Sequence, residues 1–447
     1  MNTLQAGFSR VNITPMLGIG LVGYFVERKA DGVLDELEIN TLAVACGNDK
    51  AVLISVDHCG IAKEVLKPMH QHICDTTGLP WEAVYIHANH THTGPYLSLN
   101  PTDPLEIEYT QTVTHKLAEA AQLALADLKP AKMGYGIGQA PNIAFVRRFR
   151  MKDGTVRTNP GVNNPDIVAP IGDVDERVNV LRFDREGAES IAVVNFGNHP
   201  DVVGGTKISA DWPGFTRRTV EKVLDNTHCI FFNGAQGDVN HVNVHPSGGY
   251  LNDMFMDFDD VARGYKHAQY LGRVITGGVL QIWDKVNYVD VDTIRYTQKT
   301  LNVPSNLPDH AEMAEAHRIY QLHIAGKDDE LPYTGMLLTT VVARACRMVR
   351  LEHGPENFQM PLAGVTIGPV VFVGIPGEPF TGIGRALKEA SGWAMVLPTC
   401  NTNADEGYFP MLECYQEGGY EADDSNFKAG VAEIIIEEGL NMLKTLQ

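Results

Sequence analysis

Short apolar runs and amphipathic stretches alternate along this chain, and three times they do so in one order: strand, turn, strand, loop, helix, strand. The first copy runs through TLAVACG, a turn at Asn48 and Asp49, AVLISVD, an amphipathic stretch near AKEVLKPMHQHI, and AVYIHANHTH. The second runs through VNVLRFD, a turn at Glu186 and Gly187, SIAVVNFGNHP, a helical stretch near PGFTRRTVEKVL, and HCIFFNGAQGD. The third runs through MPLAGVTI, a turn at Gly368 and Pro369, VVFVGIPGE, TGIGRALKEAS, and AMVLPTCNTN. Runs this rich in Val, Ile and Phe suit strands buried on both faces. The pattern predicts an α/β fold of mixed β-sheets flanked by helices, and at its strongest three related strand-strand-helix-strand units. Strand-helix alternation also occurs in α/β proteins that contain no repeat.

The position of the polar residues sharpens the pattern. The second strand of each copy ends in Asp57-His58, His199 or Glu378, and the last strand ends in His90-Thr-His92, Gln236-Gly-Asp238 or Asn401-Thr-Asn403. Open α/β sheets place their sites just past such strand ends. No low-complexity linker divides the chain, so residues 1–447 read as one domain with a helical insertion around 305–350. Further helices are expected over 107–128, 254–283 and 429–445.

Acidic residues outnumber basic ones 55 to 36, for a net charge of -19. That balance argues against a nucleic-acid partner, because binding phosphate backbones needs clustered Lys and Arg. No run approaches the roughly 18 apolar residues of a membrane span. The opening MNTLQAGFSRVNITP lacks a basic start followed by an apolar run, so no export signal is expected. The seven cysteines are scattered and never spaced as CxxC, which reads as reduced, mostly buried thiols in a cytoplasmic protein.

The sharpest chemical signal is His87-Ala-Asn-His90-Thr-His92-Thr-Gly-Pro95. If the strand continues through it, His90 and His92 point to one side and His87 to the other. Imidazole suits zinc, but a lone HxH pair also occurs as a surface or core feature. Zinc needs about four ligands. His199 in FGNHP and Glu378 in GIPGEP stand at similar topological positions, each beside a proline that ends the ladder. Either is equally readable as a satisfied polar residue at a strand end.

HTHTGP resembles the HTHSGP signature of the neutral, non-lysosomal ceramidases. NFGNHP followed by ISADWPGF is similar to the second histidine segment of that family, and FFNGAQGDV to its strand leading into Gly-Asp-Val. GIPGEPFTGIGRALK is similar to its PGE segment. Asp405-Glu-Gly-Tyr408, Tyr415 and Tyr420-Glu421 match the spacing of its late tyrosine cluster. These blocks occur in the family's order between about residues 7 and 425.

The resemblance implies one zinc ion held by His90, His199, Glu378 and Tyr408. It implies His92 as the proton-transfer group, Tyr420 near the substrate carbonyl, and a functional arginine. Arg147 in AFVRRF is the best match for that arginine, although valine replaces the family's asparagine, and Arg148 is the alternative. Two imidazoles, a carboxylate and a phenolic oxygen are a sensible zinc set, and the same donors also suit iron or manganese. Asp57 is a candidate to orient a histidine from behind, and Asp238 has a similar standing. His241 and His245 form another possible metal pair.

The expected activity is hydrolysis of an N-acyl (amide) bond by metal-activated water. Ceramidases of this family are secreted or membrane-facing and carry a C-terminal immunoglobulin-like domain; here no export signal is expected, nor room for that domain after Tyr420. Together with the MDFDD stretch near residue 258, this points to a small or polar N-acyl substrate rather than ceramide. Esterase chemistry, a sugar-directed isomerase or lyase, and a non-catalytic metal protein are the alternatives.

Overall fold

A computed structural model describes residues 3–98, 101–246, 264–390 and 392–447 of the chain. The MDFDD stretch and residues 254–263 of the expected helix 254–283 lie outside the described residues.

A large mixed sheet forms first. Its strands are β1 (Leu4–Asn12), β2 (Glu38–Cys46), β3 (Asp49–Val56), β4 (Val84–Ala88), β5 (Lys129–Gln139), β6 (Arg177–Arg185), β7 (Ser190–Phe196) and β8 (Thr227–Asn233). They lie in the order β8-β7-β6-β5-β1-β2-β3-β4, and the short strand Asn287–Val289 also pairs with β5. A second sheet runs β9 (Ile294–Pro304), β10 (Asn357–Ile367), β11 (Val370–Gly374), β12 (Met395–Thr399). Within these two sheets, among the described residues, three pairs are parallel, namely β3 with β4, β7 with β8 and β11 with β12. Each joins through a crossover helix: α1 (Lys63–Thr77), α3 (Asp211–Val223) and α7 (Thr381–Lys388) respectively. Parallel neighbours require such a crossover, because a tight turn can only reverse the chain.

Helix α2 (Pro104–Ala126) packs on β1, where a Cβ on Gly7 would sit 2.1 Å from the carbonyl oxygen of Ala124. Helix α4 (Tyr265–Ile282) packs on β5 in the same manner, with a Cβ on Gly138 falling 1.9 Å from the Gly278 oxygen. These glycines serve close approach of helix to sheet. Helices α5 (Met313–Ile324) and α6 (Gly335–Leu351) pack on each other, and the closing helix α8 (Val431–Leu446) covers β9 and β10. Among the described residues no helix is long and apolar enough to cross a membrane. All seven cysteines are free, and Cys46, Cys59, Cys229, Cys400 and Cys414 are buried.

The two sheets meet through aromatic side chains: the Phe372 ring centroid on β11 is 6.1 Å from Tyr85 on β4 and 5.4 Å from Phe232 on β8. Fully burying a ring like Phe372 contributes roughly 2–3 kcal/mol. This contact gathers the ends of β4, β8 and β12. His87 locks them together. Its Nδ1–H donates to the Cys400 carbonyl at 2.7 Å, and its Nε2 accepts the Asn233 amide at 3.0 Å. Both ring nitrogens are thereby used, so His87 is a neutral structural pin facing away from the chemistry. Burial holds its pKa down to about 4.

Candidate metal centre

The strand that leads to the histidine motif ends at Ala88, so His90 and His92 lie beyond it in a turn. Strand alternation is therefore not what aligns them. His90 takes a positive φ of 76°, a left-handed conformation that costs a non-glycine residue about 1–3 kcal/mol and occurs where surrounding structure enforces it. The enforcing contacts are the His90 amide donating to the His58 carbonyl at 2.7 Å and the His90 Nδ1–H donating to the Cys59 carbonyl at 2.6 Å. Asn401, from the end of β12, lies against the same Nδ1 at 2.8 Å. Nδ1 is thus committed to the Cys59 carbonyl, and Nε2 is the nitrogen a metal would take. Without a metal, burial of the ring is outweighed by Cys59 and Glu378, which hold its pKa well above the ordinary value.

That nitrogen faces the other candidates. His90 Nε2 is 3.2 Å from Glu378 Oε2, and His199 Nδ1 is 3.8 Å from the same oxygen. Both nitrogens are buried with no hydrogen-bond partner. The three ligand atoms lie within 4.8 Å of one another, and all three residues are buried. Two orphaned imidazole nitrogens converging on a carboxylate fit a divalent ion such as zinc. A second trio, Cys59, His90 and His92, also clusters. It competes poorly, because the His90 nitrogen beside Cys59 Sγ, at 3.7 Å, is the one already donated to a carbonyl. Tyr408 joins from a two-residue parallel ladder in which Glu378 pairs with Tyr408 and Pro379 with Phe409.

Burial disfavours the Glu378 carboxylate, but His90, His199 and Arg147 outweigh it and hold the group well below the usual carboxylate range. Burial, then Arg147 and His90, bring His199 down to about 3, so the ring stays neutral with a lone pair to give. Burial, then His90 and His199, also push His92 well below its ordinary value. Burial and the neighbouring Glu378 and Tyr420 push the Tyr408 phenol well up. His92 Nε2 sits 3.1 Å from His199 Nε2, beside the trio and outside it.

The two arginines share Glu421 but otherwise have different partners. Arg147 is ion-paired with Glu421 at 2.7 Å, donates to the Gly237 carbonyl at 2.6 Å, and its guanidinium carbon lies 5.3 Å from the Tyr408 ring centroid. Arg148 reaches Cys414 Sγ at 2.8 Å, the Gly418 carbonyl at 2.9 Å and Glu417 at 3.3 Å, touches the other oxygen of Glu421 only at 3.8 Å, and does not line the cavity described below. Successive residues of an extended segment project to opposite sides, which accounts for the split. Tyr420 begins a helical turn, with its ring 5.5 Å from that of Tyr408.

Asp57 does not orient a histidine. Its carboxylate binds Arg217 through both oxygens, at 2.8 and 2.5 Å, and accepts from Asn89 at 2.9 Å, which anchors the backbone just before His90. Asp238 accepts from the amide and hydroxyl of Thr381, at 2.7 and 2.8 Å, and so caps α7 close to Glu378. His241 and His245 form no pair. His241 is buried with Nδ1 3.3 Å from Asp201, and His245 is exposed.

Gln236 and Asn401 emerge as contacts of the centre: Gln236 Nε2 donates to Glu378 Oε2 at 3.2 Å, as Asn401 buttresses His90. Both stand at strand ends that the sequence pattern marks, but nothing in an amide residue type alone singles out such a role. Glu421, which neutralises Arg147, was visible only as the neighbour of Tyr420.

A cavity of about 370 Å³ opens onto His92, His199, Arg147, Tyr408 and Tyr420. Its other walls come from the loop Gly23–Val26, from Thr158 and Asn159, and from α5, α6 and their connection.

No protein-family model matches the chain, and no curated protein sequence matches it. Solved structures do. The neutral ceramidase from Pseudomonas aeruginosa superposes with a TM-score of 0.74 at 17% identity, over 100% of this chain and 75% of that one. A ceramidase complexed with C2 superposes at 0.72 and 16% identity, with the same coverage. At such low identity the likeness speaks for architecture: the chain has a neutral ceramidase-like fold.

Proposed function

We propose that this chain is a zinc-dependent amidohydrolase that cleaves the N-acyl bond of a small or polar substrate. The observation that carries the reading is the trio His90, His199 and Glu378, with two buried ring nitrogens lacking partners, beside a cavity wall that also holds His92, Tyr420 and Arg147. A metal site with a purely structural role needs no such cavity beside it. The names of the two structural neighbours add support from the reaction of those proteins.

His90, His199, Glu378 and Tyr408 would hold the ion. When bound, zinc supplies Lewis acidity and lowers the pKa of water toward neutrality. His92, kept neutral by burial, accepts the proton of the attacking water and returns it to the departing amine nitrogen. Arg147 and the Tyr420 hydroxyl hold the carbonyl oxygen as negative charge builds on it, a role commonly worth about 3–4 kcal/mol per donor. Glu421 keeps the guanidinium in place, and burial maintains the Tyr420 hydroxyl as a neutral donor. The cavity volume of about 370 Å³ suits a compact substrate and lies near the lower end of small-molecule sites.

Release of carboxylate and amine from a panel of short N-acyl compounds, measured on zinc-loaded chain, tests the reading. Turnover of esters with none of any amide would redirect it to esterase chemistry.

A further inference from the structure

One wall of the cavity carries polar groups that the hydrolytic chemistry above leaves unused. His323, on the last turn of α5, and Asp328, in the connection to α6, both line it. His323 Nδ1 lies 3.1 and 3.0 Å from the two oxygens of Asp328, so its N–H is donated to the carboxylate and the ring is fixed. The other ring nitrogen, Nε2, is the remaining polar atom, on a side chain only 14% exposed. Phe25 stands between this ring and the reaction chemistry, its centroid 6.3 Å from His323 and 6.4 Å from Tyr420. A molecule that reaches both must extend several bonds past its amide.

The charge of the walls limits what that extension carries. Among the described residues the one Arg or Lys lining the cavity is Arg147, already neutralised by Glu421. Asp201 and Asp328 add carboxylates, and Thr158, Asn159 and Thr339 add uncharged polar groups. An anionic group finds no unpaired Arg or Lys here, and a bare alkyl end offers the imidazole nitrogen no hydrogen bond. A hydroxyl, which both donates and accepts, satisfies Nε2 in either protonation state of the ring.

We infer that His323, held by Asp328, is a specificity-determining residue that binds a hydroxyl carried several bonds from the scissile amide of a short N-acyl substrate. This rests on the amidohydrolase reading for its chemistry, but the recognition step is measurable without turnover. The hydroxyl can sit on the acyl side or on the amine side. Two matched pairs of short N-acyl compounds separate these sources, each pair comparing a hydroxyl-ended molecule with its methyl-ended counterpart.

Dissociation constants are measured by calorimetry on the zinc-loaded chain, together with KM and kcat. Wild type is expected to bind one hydroxyl-ended compound about tenfold more tightly than its counterpart, the scale of one added hydrogen bond. His323→Leu should abolish that preference while leaving the methyl-ended Kd and the melting temperature near wild type. His323→Gln, which keeps a polar end, should recover part of it, and Asp328→Asn should weaken it. In turnover the change should fall on KM rather than kcat. Equal affinity within both pairs for wild type, an unchanged preference in H323L, or no binding of any of the four would overturn the assignment. Discrimination in binding without hydrolysis of any amide would leave the recognition role standing and count against the hydrolase reading instead.

Discussion

Glu378 and Tyr408 are direct partners in a two-residue parallel ladder. Two residues that lie thirty positions apart in the chain are thus fixed side by side by backbone pairing, and their side chains leave the ladder on one side. His90 and His199 reach the same point from the other two strand ends, so three separate crossovers meet at one carboxylate.

His92 lies beside this group without belonging to it, so the proton-transfer role proposed for it can be tested apart from metal retention. His92→Ala should keep its metal and lower kcat by about 10²–10⁴-fold. Kinetics paired with elemental analysis of the same preparation checks this. Loss of zinc from the variant would make His92 a ligand and remove the general base from the mechanism.

Arg147 and Arg148 provide a matched contrast. Arg147→Lys should lower kcat by about 10²–10³-fold, since a compact ammonium cannot keep both the Glu421 pair and the reach to the carbonyl oxygen. Arg148→Lys should leave kcat near wild type and shift mainly the melting temperature, because Arg148 does not line the cavity and its nearest partners are Cys414, Gly418 and Glu417. A larger kcat loss in the second variant would reverse the assignment.

His87 gives a pH signature for the pin that joins the strand ends. Its folded pKa is about 4 against 6.5 for the free side chain. Below pH 6.5 the unfolded chain therefore takes up a proton that the folded chain refuses, and stability drains away as pH falls toward 4. Relative to His87→Gln, wild type should lose on the order of 3 kcal/mol across that window and nothing above pH 7.5. Denaturant midpoints for both proteins from pH 7.5 to 4 measure it; a constant difference would mean that His87 titrates normally in the fold.

Much of this architecture was legible because burial on both faces writes strands as unbroken Val, Ile and Phe runs. VVFVG is β11 and HCIFFN falls within β8. The polar residues after those runs marked where the centre gathers, since a polar group beyond an apolar strand has nowhere else to satisfy itself. What resisted reading was conformational. The left-handed backbone at His90 follows from carbonyls of His58 and Cys59, contacts that no local pattern in the motif announces. The sequence offers Asp57 only as a candidate partner of a histidine, because Arg217, which it binds through both oxygens, lies 160 residues away on α3. Arg147 and Arg148 are chemically identical in sequence, and only the side of the backbone each occupies divides them.

The most direct measurement is zinc content per chain, by elemental mass spectrometry, for wild type and Glu378→Ala after equal exposure to zinc and extensive dialysis. About one zinc per chain in wild type and little in the variant is the expected result. No retained zinc in wild type, or equal zinc in both proteins, would contradict the assignment of His90, His199 and Glu378 as a metal centre.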